Sequence, residues 1–125
     1  LRRGCGITNT GFSITQRSDG EGPNIVNDTT SLVKGAWYHV VWTGNGTTWT
    51  LWVNGVQKTL IVGMGANTGK WAGATTVTPT KLFSFGGNKY NNTMTYGFKG
   101  CLDDALYYER VLTEEEIIRA YRSRN

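Results

Sequence analysis

Residues 37–55 read Trp37-Tyr38-His39-Val40-Val41-Trp42-Thr43-Gly44-Asn45-Gly46-Thr47-Thr48-Trp49-Thr50-Leu51-Trp52-Val53-Asn54-Gly55. The first seven are aromatic or β-branched throughout, the composition of a strand buried on both faces. Gly44-Asn45-Gly46 then turns the chain, and residues 48–53 return. In that return Trp49, Leu51 and Val53 share one face while Thr50 and Trp52 take the other, because side chains alternate along a strand. Asn54-Gly55 is the strongest hairpin signal in the chain. A type I′ turn needs positive φ at both central residues, and Asn and Gly tolerate it at least cost. The stretch specifies antiparallel β-structure.

The same signals continue outward. Phe12, Ile14 and Gln16 alternate with Ser13 and Thr15, which predicts a first strand, followed by a polar turn over 18–23 and a short strand over 24–27. Downstream, a strand is predicted over 56–62, a long Gly/Ala/Thr-rich loop over 63–80 around Trp71, and a strand over 81–86. A polar loop over 87–96 and a final long strand over 97–108 complete the β-part. One helix closes the chain. Thr113 and Glu116 form a capping box flanked by Leu112 and Ile117 as a hydrophobic staple. Ile117, Ala120 and Tyr121 make its apolar stripe, and Arg119, Arg122 and Arg124 suit the negative end of the helix dipole.

Composition agrees. The chain has 125 residues, 17 Gly, 2 Pro, 12% aromatic and 18% charged residues. Such a length predicts one domain, 1–125, and the composition excludes a helical bundle or coiled coil. No apolar run approaches the roughly 20 residues of a membrane span, so no membrane insertion is expected. The start, Leu1-Arg2-Arg3-Gly4-Cys5-Gly6, lacks the apolar core of a secretory signal. With no initiator Met, it suggests a segment of a longer polypeptide. The net charge is +4, yet lysines are scattered singly and all seven arginines lie near the two ends. Nucleic-acid binding by counterion release wants a clustered basic patch, so no nucleic-acid partner is expected.

Three segments carry a family resemblance. Gly35-Ala36-Trp37-Tyr38-His39-Val40 resembles the G-x-W-x-H-V strand of the LamG-like jelly-roll domains in the concanavalin A-like lectin/glucanase superfamily. Trp49-Thr50-Leu51-Trp52-Val53-Asn54-Gly55 is similar to their w-x-L-Y-V-N-G hairpin. The run from Phe98 through Gly100, Asp103, Asp104, Tyr108, Arg110 and Leu112 to Thr113 resembles their closing F-x-G-x-I-D-D/E-V-x-I-Y-x-R-x-L-S/T. It leads into Glu115-Glu116-Ile117 where the family has x-x-E-I. The resemblance is best over 35–121. It implies an all-β, antiparallel two-sheet jelly-roll sandwich with one short C-terminal helix, and two stacked sheets do need such alternating faces and Gly-rich turns. Family members usually have further N-terminal strands, including the one that pairs beside the closing strand. A compact version, or strands supplied from upstream or by a partner, would account for the difference. A half-covered sheet would expose edge hydrogen-bond groups and apolar surface, which predicts tight association with other protein chains.

The sites are less clearly written. Glycosidases of the superfamily use a pair of acids flanking the scissile bond, and their acidic strand of the type E-x-D-x-x-E is absent. Adjacent Asp103 and Asp104 would point to opposite faces, Glu114, Glu115 and Glu116 suit the helix N-terminus, and His39 has no partner at a recognisable motif spacing. No catalytic residue is expected. Many relatives bind Ca2+, a cation that wants several oxygen ligands. Here Asp19, Glu21, Asn27 and Asp28, or Asn88, Asn91 and Asn92, offer oxygens without a dense D-x-D-x-D loop, and strand-end Asx turns explain them equally. No metal ligand is assigned. Cys5 and Cys101 suit either a disulfide or two separate buried thiols. Sequons occur at Asn27, Asn45 and Asn91. Sugar binding needs aromatic platforms beside amides and hydroxyls, which nominates Trp71, Tyr90, Asn91, Asn92 and Tyr96. The expected function is non-catalytic recognition of glycan or protein at an extracellular or particle surface. The alternative is a structural or assembly subunit, as of a virion or surface appendage, whose sheet a partner chain completes.

Overall fold

The computed structural model describes residues 2–8, 11–17, 23–70, 86, 88–90, 93–95 and 97–123. Along these the chain forms β1 (Arg2–Thr8), β2 (Gly11–Arg17), β3 (Asn24–Asn27), β4 (Val40–Gly44), β5 (Trp49–Val53) and β6 (Val56–Lys58). β7 (Ile61–Met64), β8 (Asn88–Tyr90), β9 (Thr93–Thr95) and helix α1 (Glu114–Arg122) follow. One antiparallel sheet has the order β1-β2-β3-β7 and a second has β4-β5-β6, while β8 and β9 pair as a hairpin.

Alternation along the strands builds the core between the two sheets. Phe12, Leu51 and Val53 form one buried cluster and Ile14, Val26 and Trp49 another, each drawing on both sheets. Half-buried Trp42 and Leu60 pack against both clusters. Burying each aliphatic or phenyl group contributes about 1.5–3 kcal/mol, so this seam holds the layers face to face. It is the two-sheet sandwich expected from the alternation.

The second sheet follows its sequence signals closely. β4 pairs with β5 from Val40 opposite Val53 to Gly44 opposite Trp49. Asn54 (φ 51°) and Gly55 (φ 74°) occupy the left-handed region that the I′ turn demands. Asn54 also ties this turn to the start of β4: its Oδ1 accepts from the His39 N–H at 2.9 Å, and its own N–H donates to the His39 carbonyl at 2.9 Å. Helix α1 docks at the same place. The Tyr121 ring lies 5.9 Å from that of His39, and a Cβ added at Gly55 would come 2.9 Å from Tyr121 Cδ1. The capping box is formed, with the Thr113 hydroxyl accepting from the Glu116 N–H and the Glu116 carboxylate accepting from the Thr113 N–H. Ile117 is the buried residue of the apolar stripe.

Five expectations are corrected. β1 lacks alternation, with Arg2, Arg3, Gly4 and Gly6, yet forms because it pairs residue for residue with β2. The strand expected over 56–62 is two strands in different sheets: the chain leaves β6 at Thr59, buries part of Leu60 between the layers, and enters β7. The loop expected over 87–96 contains the β8–β9 hairpin. Trp37, expected in the core, precedes β4 and is 67% exposed. The largest departure is the closing run. Residues 97–108 form no strand and are exposed throughout, and Asp104 has φ 49°, a left-handed break within the alternation. A strand needs a neighbour to satisfy its backbone groups; among the described residues the run meets Gly86, whose carbonyl accepts from the Phe98 N–H at 2.7 Å. The Asp104 N–H turns to the Asp103 carboxylate at 2.8 Å.

Candidate functional site

The sequence-nominated aromatic and amide residues fall largely outside the described part. This holds for Trp71, Asn91, Asn92, Tyr96 and, of the strand expected over 81–86, all but Gly86. Tyr90 ends β8 opposite Thr93 on β9. Of the oxygen donors considered for Ca2+, Asp28 is buried and its carboxylate accepts from the Thr30 N–H at 3.0 Å, which is a structural use. Asn27 lies in β3 and Asn88 in β8, while Asp19 and Glu21 lie outside the described residues. Among the described residues no three His, Cys, Asp or Glu side chains gather as a metal site. Cys101 is a free, exposed cysteine, so buried packing does not describe it. It sits in the closing run, which the sheets do not incorporate.

A different site emerges on the second sheet. An open groove of about 550 Å³ is bounded by the start of β5, the end of β6 and the segment after β7. Its floor is organised by Asn67. The Asn67 Oδ1 accepts from the Trp49 N–H and its Nδ2 donates to the Trp49 carbonyl at 3.0 Å, so one side-chain amide does what a neighbouring strand would do. Thr68 and Gly69 fix the segment that presents it. The Thr68 hydroxyl donates to Oε1 of buried Gln16 on β2 at 2.7 Å, and the Gly69 carbonyl accepts from the Gly46 N–H at 2.9 Å. Gly69 lies flush against the Thr48 backbone, where a Cβ would collide with it. The segment spans both sheets.

Above this floor the groove is polar. Thr50 Oγ1 shares a 2.6 Å hydrogen bond with Thr43 Oγ1, and Thr48 Oγ1 donates to Asn45 Oδ1 at 3.4 Å. Gln57, Lys58 and Thr59 complete the lining. Among the described residues no side-chain hydrogen bond or ion pair engages these three. Trp49 also borders the groove, and its buried Nε1–H has no acceptor among the described residues. The site therefore offers an amide, an ammonium and a hydroxyl on a rigid β-ribbon, beside an indole. Nothing in the sequence marked it, because Asn67 comes from a loop and meets Trp49 only in three dimensions.

Such a fold and groove define a two-layer antiparallel β-domain with a polar, open surface site rather than an enclosed cavity. The chain belongs to the concanavalin A-like lectin/glucanase superfamily: the family model Laminin_G_3 matches residues 4–118. Among solved structures, the chain is similar to residues 221–444 of an S-layer domain-containing protein from Clostridium thermocellum. The two share 22% identity with a TM-score of 0.57, over 88% of this chain and 51% of that one. That likeness concerns the fold, and this chain spans about half of that structure. No curated protein matches the sequence. No helix among the described residues is long and apolar enough to cross a membrane.

Proposed function

We propose that this domain is a non-catalytic recognition module that binds glycan or protein at an extracellular or particle surface. The observation that carries this reading is the groove lined by Gln57 and Lys58 on β6 and by Thr59 just after it. Amide, ammonium and hydroxyl groups fixed on rigid strands suit the ring hydroxyls of a sugar or the backbone of a bound peptide, because neither partner nor site must reorganise. The superfamily membership supports the same class. Tyr90, which ends β8, remains part of the proposal as a second contact region, together with Asn91 and Asn92.

A glycan array probed with the 125-residue chain, with calcium present, tests the sugar half of this reading; binding to a defined set of glycans is expected, and a clean blank counts against it. Gln57→Ala with Lys58→Ala should weaken captured binding at least tenfold while leaving the far-ultraviolet spectrum unchanged. Unchanged affinity removes the groove from the site, and loss on Tyr90→Ala alone moves the site to the hairpin. A second reading, a structural or assembly subunit completed by a partner chain, is favoured by one specific observation: the exposed apolar closing run.

A further inference from the structure

The acids of this chain are unevenly placed. Residues 29–102 carry six lysines, Lys34, Lys58, Lys70, Lys81, Lys89 and Lys99, and no Asp, Glu or Arg. The three strands of the second sheet, β4, β5 and β6, fall inside that span, as does the segment that presents Asn67. The flanks do not add to this charge: residues 1–28 sum to zero and residues 103–125 to −2, in a chain of +4. The acids that border the span are otherwise engaged. Asp28 is buried with its carboxylate on the Thr30 N–H, and the Asp103 carboxylate holds the Asp104 N–H. Glu114, Glu115 and Glu116 belong to α1, which docks through Tyr121 at the Asn54-Gly55 turn. That turn is the opposite end of the β5–β6 ribbon from the groove. The groove itself inherits the bias. None of its lining residues is an acid, and its one charge is the Lys58 ammonium, half-buried on β6. The buried side-chain atom at the groove that lacks a partner among the described residues, the Trp49 Nε1–H, is a donor as well. A half-buried ammonium has given up part of its hydration, and an acceptor of opposite charge restores what it lost.

We propose that the groove takes an anionic glycan, whose carboxylate or sulfate meets the Lys58 ammonium while its ring hydroxyls meet the surrounding amides and hydroxyls. This rests on the recognition reading above and names the ligand class. The same observations disfavour other polyanions. An acidic peptide bound as an added strand needs free backbone N–H and C=O groups on its host. At the floor of the groove the Asn67 amide already holds both of those groups of Trp49. Nucleic acid wants basic groups bunched together, whereas no two of the six lysines lie closer than eight residues in the sequence. A sugar acid instead presents one charge among several hydroxyls. The lining is its complement, with Thr48, Thr50, Gln57, Thr59 and Asn67 around a single ammonium.

The test is an array of matched pairs probed with the 125-residue chain. Each pair sets a carboxylated oligosaccharide beside its carboxyl-reduced form, or a sulfated one beside its desulfated form. Binding is expected on acidic members, and at least about tenfold weaker on their neutral partners, the loss of one hydrogen bond to a charged group. The kind of pair that responds tells carboxylate from sulfate. Raising the salt from about 0.1 to about 1 M shortens the screening length from about 10 to about 3 Å and should weaken the same binding. Lys58→Gln should reproduce the loss and Lys58→Arg should retain most of the affinity, both with an unchanged far-ultraviolet spectrum. Equal binding to both members of each pair overturns the anionic assignment and leaves the recognition module standing. Acidic hits untouched by Lys58→Gln overturn the groove as their site. Polyglutamate or a single-stranded oligonucleotide bound as tightly as any acidic sugar overturns the glycan class. A blank across every glycan and both of these polyanions overturns the inference together with the sugar half of the recognition reading.

Discussion

Asn67 shows how much one side chain can hold. It gives Trp49 both a donor and an acceptor where no strand follows, and Trp49 is one of the most deeply buried residues in the chain. Replacing it with Ala leaves a part-buried backbone N–H and carbonyl without partners, each at a cost of about 1 kcal/mol or more. We expect Asn67→Ala to destabilise the fold by about 2–3 kcal/mol in urea denaturation, and a change under 0.5 kcal/mol would show that water replaces both bonds. At this scale the sequence spoke selectively. Asn54-Gly55 announced its turn because a two-residue hairpin places a local demand on φ. Asn67 gave no such signal, since its partner lies 18 residues away and only the packed sandwich brings them together. Trp37 misled for a related reason: aromatic character marks burial only where a facing sheet covers the side chain, and β4 begins three residues later.

Among the elements, helix α1 was the most completely legible. Its start is written locally in Thr113 and Glu116, and the structure forms both capping bonds. Arg110 adds to that start by gripping the Glu116 carboxylate with two nitrogens, at 2.6 and 2.8 Å. The hydrogen bond from Arg110, then that from the Thr113 backbone, lowers the Glu116 pKa from the usual 4.5 to about 2. A carboxylate depressed on folding stabilises the structure above its unfolded pKa, and that contribution is lost as pH falls through the folded value. Helix content should therefore decline between about pH 4.5 and 2, followed by circular dichroism. Arg110→Ala should move the Glu116 titration, read by NMR, upward toward 4.5; an unmoved midpoint would assign the shift to the capping box alone. The strands were legible where alternation was strong, as in β2 and β5. They were illegible where register with a neighbour, rather than side-chain pattern, creates the strand, as in β1. The closing run is the converse case: its pattern is a strand's, but pairing is a property of two segments.

For the whole molecule, the two apolar clusters are joined through Trp42 and Leu60, which touch both. Leu60 is also the residue at which the chain passes from one sheet to the other. Leu60→Ala should therefore lower stability by about 2–3 kcal/mol in a single cooperative transition, monitored in parallel by tryptophan fluorescence and far-ultraviolet circular dichroism. Two separated transitions would mean that the layers melt independently. This sandwich was readable from alternation and turns, and its superfamily from three motifs in order. The groove was not, because it is assembled from strand ends and a loop that meet only after the layers stack.

The passage at Thr59 and Leu60 has a mechanical consequence. Gln57, Lys58 and Thr59 stand immediately before it, on a strand of three residues whose grip on β5 is short. Tension on anything held there runs along the backbone through Leu60 into β7, and so loads the opposite layer as well. The β5–β6 ribbon is thereby anchored from behind.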